Sequence, residues 1–86
     1  MKVHVPGPLR SYTRGAAELD AAGSSVAELL SELDRRFPGI RFRVVDEQDR
    51  VRTHIRFFVN ARQVFDLAHP LGPGDDFTII CALSGG

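Results

Sequence analysis

The sequence predicts an α+β fold in which one main helix packs on one face of a mixed sheet of four to five strands. The strongest observation is a helical repeat of apolar residues between positions 26 and 37. Strand-like alternation of apolar and polar residues occurs before this repeat and again after it. Because 86 residues suffice for one small core, we expect a single domain over 1–86 with no catalytic cleft between lobes.

Two strands are expected before the helix. Residues 1–5 place Met1, Val3 and Val5 on one side, with the period of a half-buried strand. A weaker alternation at 17–21 predicts a second strand. We expect the two to form a hairpin with a broad loop.

The helix has a predicted start, face and end. The run Ser25-Val26-Ala27-Glu28 fits a capping box, in which the Ser and Glu side chains satisfy each other's exposed amides. Pro38-Gly39 is expected to end the helix. The predicted buried face consists of Val26, Leu29, Leu30, Leu33 and Phe37.

The segment after the helix contains one ambiguous stretch and two predicted strands. Residues 40–45 fit either a short strand or a helical turn, and the charged run that follows predicts a solvated loop. Residues 54–60 predict a strand, and a reversal at 60–63 leads to a short return strand at 64–65.

The final strand is predicted at 77–82, after a segment dense in Pro and Gly. If the first and last strands pair in parallel at the centre of the sheet, one right-handed crossover carries the helix across one face. This order predicts the β-grasp architecture. The inward-facing residues expected in the third and last strands are Ile55, Phe57, Val59, Phe77, Ile79 and Cys81.

Composition excludes several classes of function. Eleven basic and eleven acidic residues give a formal charge of zero, so no global field favours nucleic acid or an anionic membrane. The single cysteine excludes an internal disulfide, and we expect a cytoplasmic protein without signal peptide or membrane span. His4, His54 and His69 do not have the spacing of metal ligands.

The chain finishes on Gly85-Gly86, which cannot contribute side chains to a core. An extended diglycine tail, expected to be flexible from about residue 82, is thin enough to pass along a narrow channel. A frayed end or a cloning remnant is the simpler interpretation of the two glycines alone.

Three segments in this order resemble the MoaD/ThiS family of ubiquitin-like sulfur carriers. They are Phe57-Phe58-Val59-Asn60, the run 74–79 and the terminal Gly85-Gly86. Pro8-Leu9-Arg10 and the extended 40–52 segment are most similar to the subgroup of carriers that serves cysteine biosynthesis.

The resemblance implies that the reactive group is the α-carboxylate of Gly86. In this family a partner adenylating enzyme uses ATP and magnesium to activate that carboxylate, and a sulfur donor converts it to a thiocarboxylate for a downstream synthase. The chain is therefore expected to be a carrier and not an enzyme, with no cofactor or metal of its own. The acceptor pathway stays open between cysteine, thiolated tRNA, molybdopterin and thiamin types.

A docking surface for the activating enzyme is expected on the uncovered face of the sheet. If Phe57 and Ile79 face the helix, Phe58 and Ile80 emerge on the other side. Leu83 lies near the tail, and Arg56 and Arg62 are expected to supply a polar rim.

Cys81 stands where related carriers often have Pro. It is either a small apolar residue at the end of a strand, which we favour, or a thiol that attacks the loaded tail.

Two alternatives to a sulfur carrier remain open from the sequence. A ubiquitin-like modifier would join the activated Gly86 to a lysine of another protein. A β-grasp interaction module would have incidental glycines.

Overall fold

The computed structural model describes residues 1–82 and contains five strands and two α-helices. No helix within these residues combines the length and apolar character needed to cross a membrane. A 3₁₀ turn at Gly7–Leu9, not predicted from the sequence, follows the first strand. The elements in chain order are β1 (Lys2–His4), β2 (Glu18–Asp20), α1 (Val26–Arg36), α2 (Ile40–Val44), β3 (Ile55–Val59), β4 (Arg62–Val64) and β5 (Asp76–Cys81).

The sheet has the order β2-β1-β5-β3-β4. β1 and β5 are parallel neighbours at its centre, and all the other pairs are antiparallel. The predicted mixed sheet with one main helix is therefore confirmed, including the central parallel pair. Val3 pairs with Phe77, so the second residue of β1 and the second residue of β5 lie side by side under the helix.

A single core fills the space between α1 and the inner face of the sheet. The helix contributes four residues that are at most 1% exposed, and the rings of Phe57 and Phe77 contact each other with centroids 5.2 Å apart. Burying a side chain of this size stabilises the fold by about 1.5–3 kcal/mol. Phe37, predicted as the last residue of the buried helical face, is instead the C-cap that follows Arg36, and it is partly buried. The most deeply buried side chains are Val3, Val26, Leu29, Leu30, Leu33, Ile40, Val44, Val45, Ile55, Phe57 and Phe77.

The cap of α1 differs in one contact from the predicted capping box. The Ser25 hydroxyl accepts from the amide of Glu28 at 3.2 Å, as expected. The Glu28 carboxylate, however, reaches Ser24, accepting from its amide at 3.1 Å and its hydroxyl at 2.7 Å. The amide of Val26, one residue after the cap, donates to the carbonyl of His69 at 3.1 Å.

Gly23 lets the chain pass against the first turn of α1. A β-carbon at this position would lie 2.6 Å from the backbone nitrogen of Leu29 and 2.8 Å from its Cα. No ordinary side chain tolerates such an approach to backbone atoms. The absence of a side chain at Gly23 therefore sets how closely the β2–α1 connection packs on the helix.

The ambiguous stretch after α1 forms a second, short helix. Gly39, with φ of 98°, redirects the chain, and α2 follows immediately. The charged loop after α2 is closed by an isolated bridge between Val45 and Val51 and by an ion pair between Arg41 and Asp49 at 2.6 Å. Of the two alternatives for 40–45, the helical turn is correct, because Ile40 and Val44 are buried one turn apart.

The turn between β3 and β4 is clamped to the start of β5. Asn60 adopts φ of 57°, and its amide donates to the carbonyl of Asp76 at 2.7 Å. The Asn60 side chain accepts from the amide of Asp76 and donates to the carboxylate of Asp75. The carboxylate of Asp75 accepts from both Asn60 and the amide of Gly72, because the Pro-Gly turn folds back on it.

Candidate functional site

The last described residues belong to, and directly follow, the central strand β5. In the last pair of the β3–β5 ladder, Cys81 lies opposite Ile55. One residue later the amide of Ala82 donates to the carbonyl oxygen of His54 at 2.7 Å. The chain is thus held in sheet geometry as far as Ala82. The predicted site residues Leu83, Gly85 and Gly86 lie outside the described residues.

The uncovered face of the sheet carries an apolar region beside this exit. Ile80 lies opposite Arg56, and Phe58 lies opposite Thr78, so Phe58 and Ile80 are diagonal neighbours on one face. Ile80 is 40% exposed, whereas Phe58 is partly buried. The predicted pair of apolar residues is therefore present, with Ile80 the more accessible of the two.

Arg56 is fixed at the edge of this region by backbone carbonyls. Its Nη1 donates to the carbonyl of Thr53 at 2.6 Å and to that of Ile55 at 3.0 Å. These hydrogen bonds hold the positive charge of Arg56 near the apolar residues. Because the side chain is already ordered, it loses little further conformational entropy when a partner binds. Arg56 therefore lies where the sequence analysis expected a polar rim.

Arg62 does not lie beside Phe58 and Ile80. It pairs with Val59, whose side chain is buried on the helix side, while Gln63 pairs with Phe58. The reason is the two-residue turn at Asn60-Ala61: residues paired directly across a hairpin share a face, so Arg62 follows Val59. Arg62 lines a separate hollow at the far end of the sheet, and Gln63 occupies the position beside Phe58.

The remainder of the uncovered face is charged. His4 lies between two carboxylates of neighbouring strands, with Nδ1 3.5 Å from Glu18 and Nε2 3.9 Å from Asp76. The ammonium of Lys2 is 3.5 Å from Glu18. The face therefore divides into a mixed-charge region formed by β1, β2 and the start of β5, and an apolar region formed by β3 and the end of β5, near Ala82.

A comparison with models of protein families identifies the family of this chain. The model described as "ThiS family" matches residues 3–86. The chain belongs to the ThiS family. The resemblance stated from the sequence is thereby confirmed.

Similar proteins cover nearly the whole chain. Sulfur carrier protein CysO of Mycobacterium tuberculosis is 30% identical over 89 residues, which cover 98% of this chain and 96% of CysO. The crystal structure of the BexX/CysO complex of Amycolatopsis orientalis contains a chain that matches with a TM-score of 0.91 and 32% identity, over 99% of this chain and 98% of that one. The crystal structure of M. tuberculosis CysO matches with a TM-score of 0.90 and 28% identity, over 95% and 98%. The predicted β-grasp fold is confirmed by both structures.

Cys81 of this ThiS-family chain packs against the core and is only partly accessible. Burial raises the pKa of its thiol, and the positive charge of Arg43 only partly opposes the shift. A raised pKa leaves less thiolate at neutral pH, which makes the sulfur a weaker nucleophile. These features favour the structural interpretation of Cys81 over the reactive one.

Several residues of the family motifs noted in the sequence build the scaffold. Phe57 and Phe77 meet in the core, and Asn60 joins the β3–β4 turn to Asp75 and Asp76. No three His, Cys, Asp or Glu side chains in residues 1–82 converge as a metal site would require.

The accessibility of Phe65 was missed from the sequence. We had placed Phe65 in the return strand, but β4 ends at Val64 and the Phe65 ring is 77% exposed. The signal that could have found it is alternation, because Val64 is buried beside Phe57 and the next residue must leave the core.

Proposed function

We propose that this chain carries sulfur as a thiocarboxylate on the α-carboxyl group of Gly86. A partner adenylating enzyme would join that carboxylate to AMP, using ATP and magnesium and releasing pyrophosphate. A sulfur donor would then attack the acyl carbon, with AMP as the leaving group. The ionised thiocarboxylate is a nucleophilic form of sulfur that a downstream synthase can use.

The coarser statement, that the protein is a sulfur carrier, is confirmed by the family and by the relatives. The family match extends over residues 3–86, and the relatives named as sulfur carriers match over nearly the full length. The match to sulfur carriers is the observation that supports the proposal, because it includes Gly86, where a carrier of this family would have its reactive carboxylate. Proteins of this kind are carriers and not catalysts.

The position of the last strand supports the chemistry. The final backbone contact of the described chain joins Ala82 to His54 at 2.7 Å, only four residues before Gly86. A rigid body that holds the tail at its base reduces the entropy lost when the tail enters an active site. Gly85 and Gly86 have no β-carbon, so a narrow channel can accept them.

We further propose that the activating enzyme docks on the apolar region beside the tail. Phe58, Ile80 and Arg56 form this region, and Leu83 is expected to extend it towards the tail. Exposed apolar residues next to a fixed arginine are typical of the centre of a protein interface. Arg62, on the other side of the sheet, would contact only an enzyme that also reaches around β4.

The partners proposed are an adenylating enzyme, a sulfur donor and a sulfur-accepting synthase. An ATP-dependent activating step fits a cytoplasmic protein. The BexX/CysO complex shows that a CysO protein assembles with a protein named BexX.

The deciding experiment loads the purified chain with sulfur. The protein is incubated with the adenylating enzyme encoded nearest to its gene, ATP, magnesium and a sulfide source, and its intact mass is measured. We expect the exchange of one oxygen for one sulfur, localised to Gly86 by fragmentation. Deletion of Gly86 should abolish this exchange and leave thermal unfolding unchanged.

Two outcomes would contradict the proposal. Covalent attachment of the chain to lysines of other proteins, with no free thiocarboxylate, would favour a protein modifier. Absence of any mass change, while the same enzyme loads another ThiS-family carrier, would favour an interaction module.

A further inference from the structure

A hollow of about 270 Å³ opens between the β3–β4 hairpin and the segment that precedes β3. Its floor is formed by Phe57 and Val64, which are paired and buried. Val51 and the exposed ring of Phe65 contribute apolar walls. We call this feature the Phe65 groove. Because its lining runs through Thr53 and Ile55, it flanks the residue whose carbonyl holds Ala82.

Two arginines line the Phe65 groove, and both are held by uncharged groups. Arg52 donates from Nε to the carbonyl of Phe42 at 2.8 Å, and its guanidinium lies 4.5 Å from the centre of the Phe42 ring. Arg56 donates to the carbonyls of Thr53 and Ile55. Both cations are therefore positioned before any partner arrives.

No carboxylate balances these cations at ion-pair distance within the described chain. The pKa of Asp46 is lowered mainly by the hydrogen bond from the amide of Arg50, with a smaller contribution from the charge of Arg52. Asp46 itself accepts from the amides of Gln48 and Arg50. The groove is thus locally positive in a chain whose formal charge is zero.

Phe65 also lines a second hollow, together with Asp49 and Asp66. Asp49 is paired there with Arg41 at 2.6 Å, and Asp66 accepts from the amide of Ala68 at 2.9 Å. Phe65 therefore borders both a hollow whose carboxylates have partners and a groove whose two arginines have no carboxylate at ion-pair distance within residues 1–82.

We propose that the Phe65 groove binds a segment of a partner protein in which a large apolar side chain is flanked by carboxylates. The apolar side chain would lie on Val64 and against Phe65, and the carboxylates would pair with Arg52 and Arg56. Charge complementarity of this type sets the orientation and the rate of docking. The groove borders the exit of the tail and shares Arg56 with the apolar region, so the partner is an enzyme that takes the tail; this last step rests on the proposed function.

The test uses two peptides and the full chain labelled with nitrogen-15. One peptide alternates leucine with glutamate, and the other alternates leucine with lysine. We expect the glutamate peptide alone to shift the backbone amides of residues 51–57 and 64–65 in a two-dimensional NMR titration. We expect its affinity to fall as salt is added, since exposed charge pairs are screened.

Three variants assign the binding to the groove. Phe65→Ser and Arg52→Glu should each weaken the glutamate peptide about tenfold or more, as loss of a central interface residue does. Arg35→Glu, which reverses an exposed charge on α1 outside the groove, should leave the affinity unchanged. Thermal unfolding checks that each variant is folded.

The proposal is overturned if the glutamate peptide gives no shifts, if the lysine peptide binds equally well, or if Arg35→Glu weakens binding as much as Arg52→Glu. The peptide-binding measurements do not depend on the outcome of the sulfur-loading experiment. Failure of sulfur loading with the peptide still bound would contradict the proposed function and leave the groove intact.

Discussion

The side-chain amide of Asn60 donates to the carboxylate of Asp75 at 3.1 Å, at the opposite end of the sheet from Ala82. The contact joins the β3–β4 turn to the turn before β5. Since the same carboxylate also accepts from the amide of Gly72 at 2.8 Å, Asp75 holds two loops in place. The rigidity of β5, from which the tail departs, is therefore maintained partly by this distant carboxylate.

The free energy of unfolding should decrease in acid because the carboxylate of Asp75 becomes protonated. The amide of Gly72, and then Asn60, lower the pKa of its carboxyl in the folded state. A group whose pKa is lower in the folded state stabilises the fold above its unfolded-state pKa, and this contribution is lost as pH falls through the folded-state pKa. Urea unfolding between pH 7 and pH 3 should show Asp75→Asn destabilised at neutral pH and close to the parent in acid.

The control for Asp75 is Glu47→Gln, which removes an exposed carboxylate that accepts no side-chain hydrogen bond within residues 1–82. At pH 7 it should lose less stability than Asp75→Asn. A difference between Asp75→Asn and the parent that stays constant from pH 7 to pH 3 would show that the hydrogen bonds do not favour the ionised form.

Gly23→Ala should destabilise the fold. Its new methyl group would lie 2.6 Å from the nitrogen of Leu29, and the backbone would have to move. Overpacking of this kind costs about 1–3 kcal/mol. Gly74→Ala is the matched control, because nothing lies within 4 Å of a β-carbon there. Denaturant unfolding should show a change below about 0.5 kcal/mol for Gly74→Ala, and equal effects of the two substitutions would refute the steric explanation.

Ile80→Asp should weaken binding of the activating enzyme and leave the fold intact. The side chain is 40% exposed on the apolar region, so a charge there is hydrated in the free protein and must be desolvated in the complex. We expect a loss of affinity of about tenfold or more, measured by calorimetry. Phe58 is a less clean choice, since it is partly buried.

Ser31→Asp serves as the control for Ile80, because it adds the same charge at an exposed position of α1. Its affinity for the enzyme should equal that of the parent. If both variants bind equally well, or if Ile80→Asp unfolds at a lower temperature to the same extent as it loses affinity, the docking region is wrongly assigned.

Cys81 should react slowly with disulfide reagents at neutral pH. Burial raises the pKa of its thiol, so the thiolate fraction is lower than in the unfolded chain. The reaction rate against pH should therefore rise later for the folded protein than for the denatured one. Cys81→Ala should still accept sulfur at Gly86, and loss of loading in this variant would restore the interpretation of Cys81 as a reactive thiol.

Much of the fold could be predicted from local patterns. The apolar stripe of α1 and the alternation in β3 and β5 each identify a buried face, and Asn60 identifies the turn between β3 and β4 through its positive φ. The cap of α1 was less predictable, because Glu28 has two serines within reach and only the tertiary fold selects Ser24.

The candidate site was predicted less completely than the fold. Phe58, Ile80 and Arg56 follow from alternation, and they lie on the expected face. Arg62 was expected on the same face as Phe58, but it lies on the other one. The face to which each β4 side chain belongs depends on the number of residues in the β3–β4 turn. The Phe65 groove could not be predicted, since it depends on how the 45–52 loop packs beside the β3–β4 hairpin.

The central strand of the sheet is the last one to be synthesised. Until residues 76–81 are available, the β1–β2 hairpin and the β3–β4 hairpin have no strand between them. The apolar stripe of α1 then has no continuous surface to cover, so we expect a chain truncated before Asp76 to be degraded readily by proteases. Such a chain would also lack Ile80, and with it half of the apolar pair on the uncovered face.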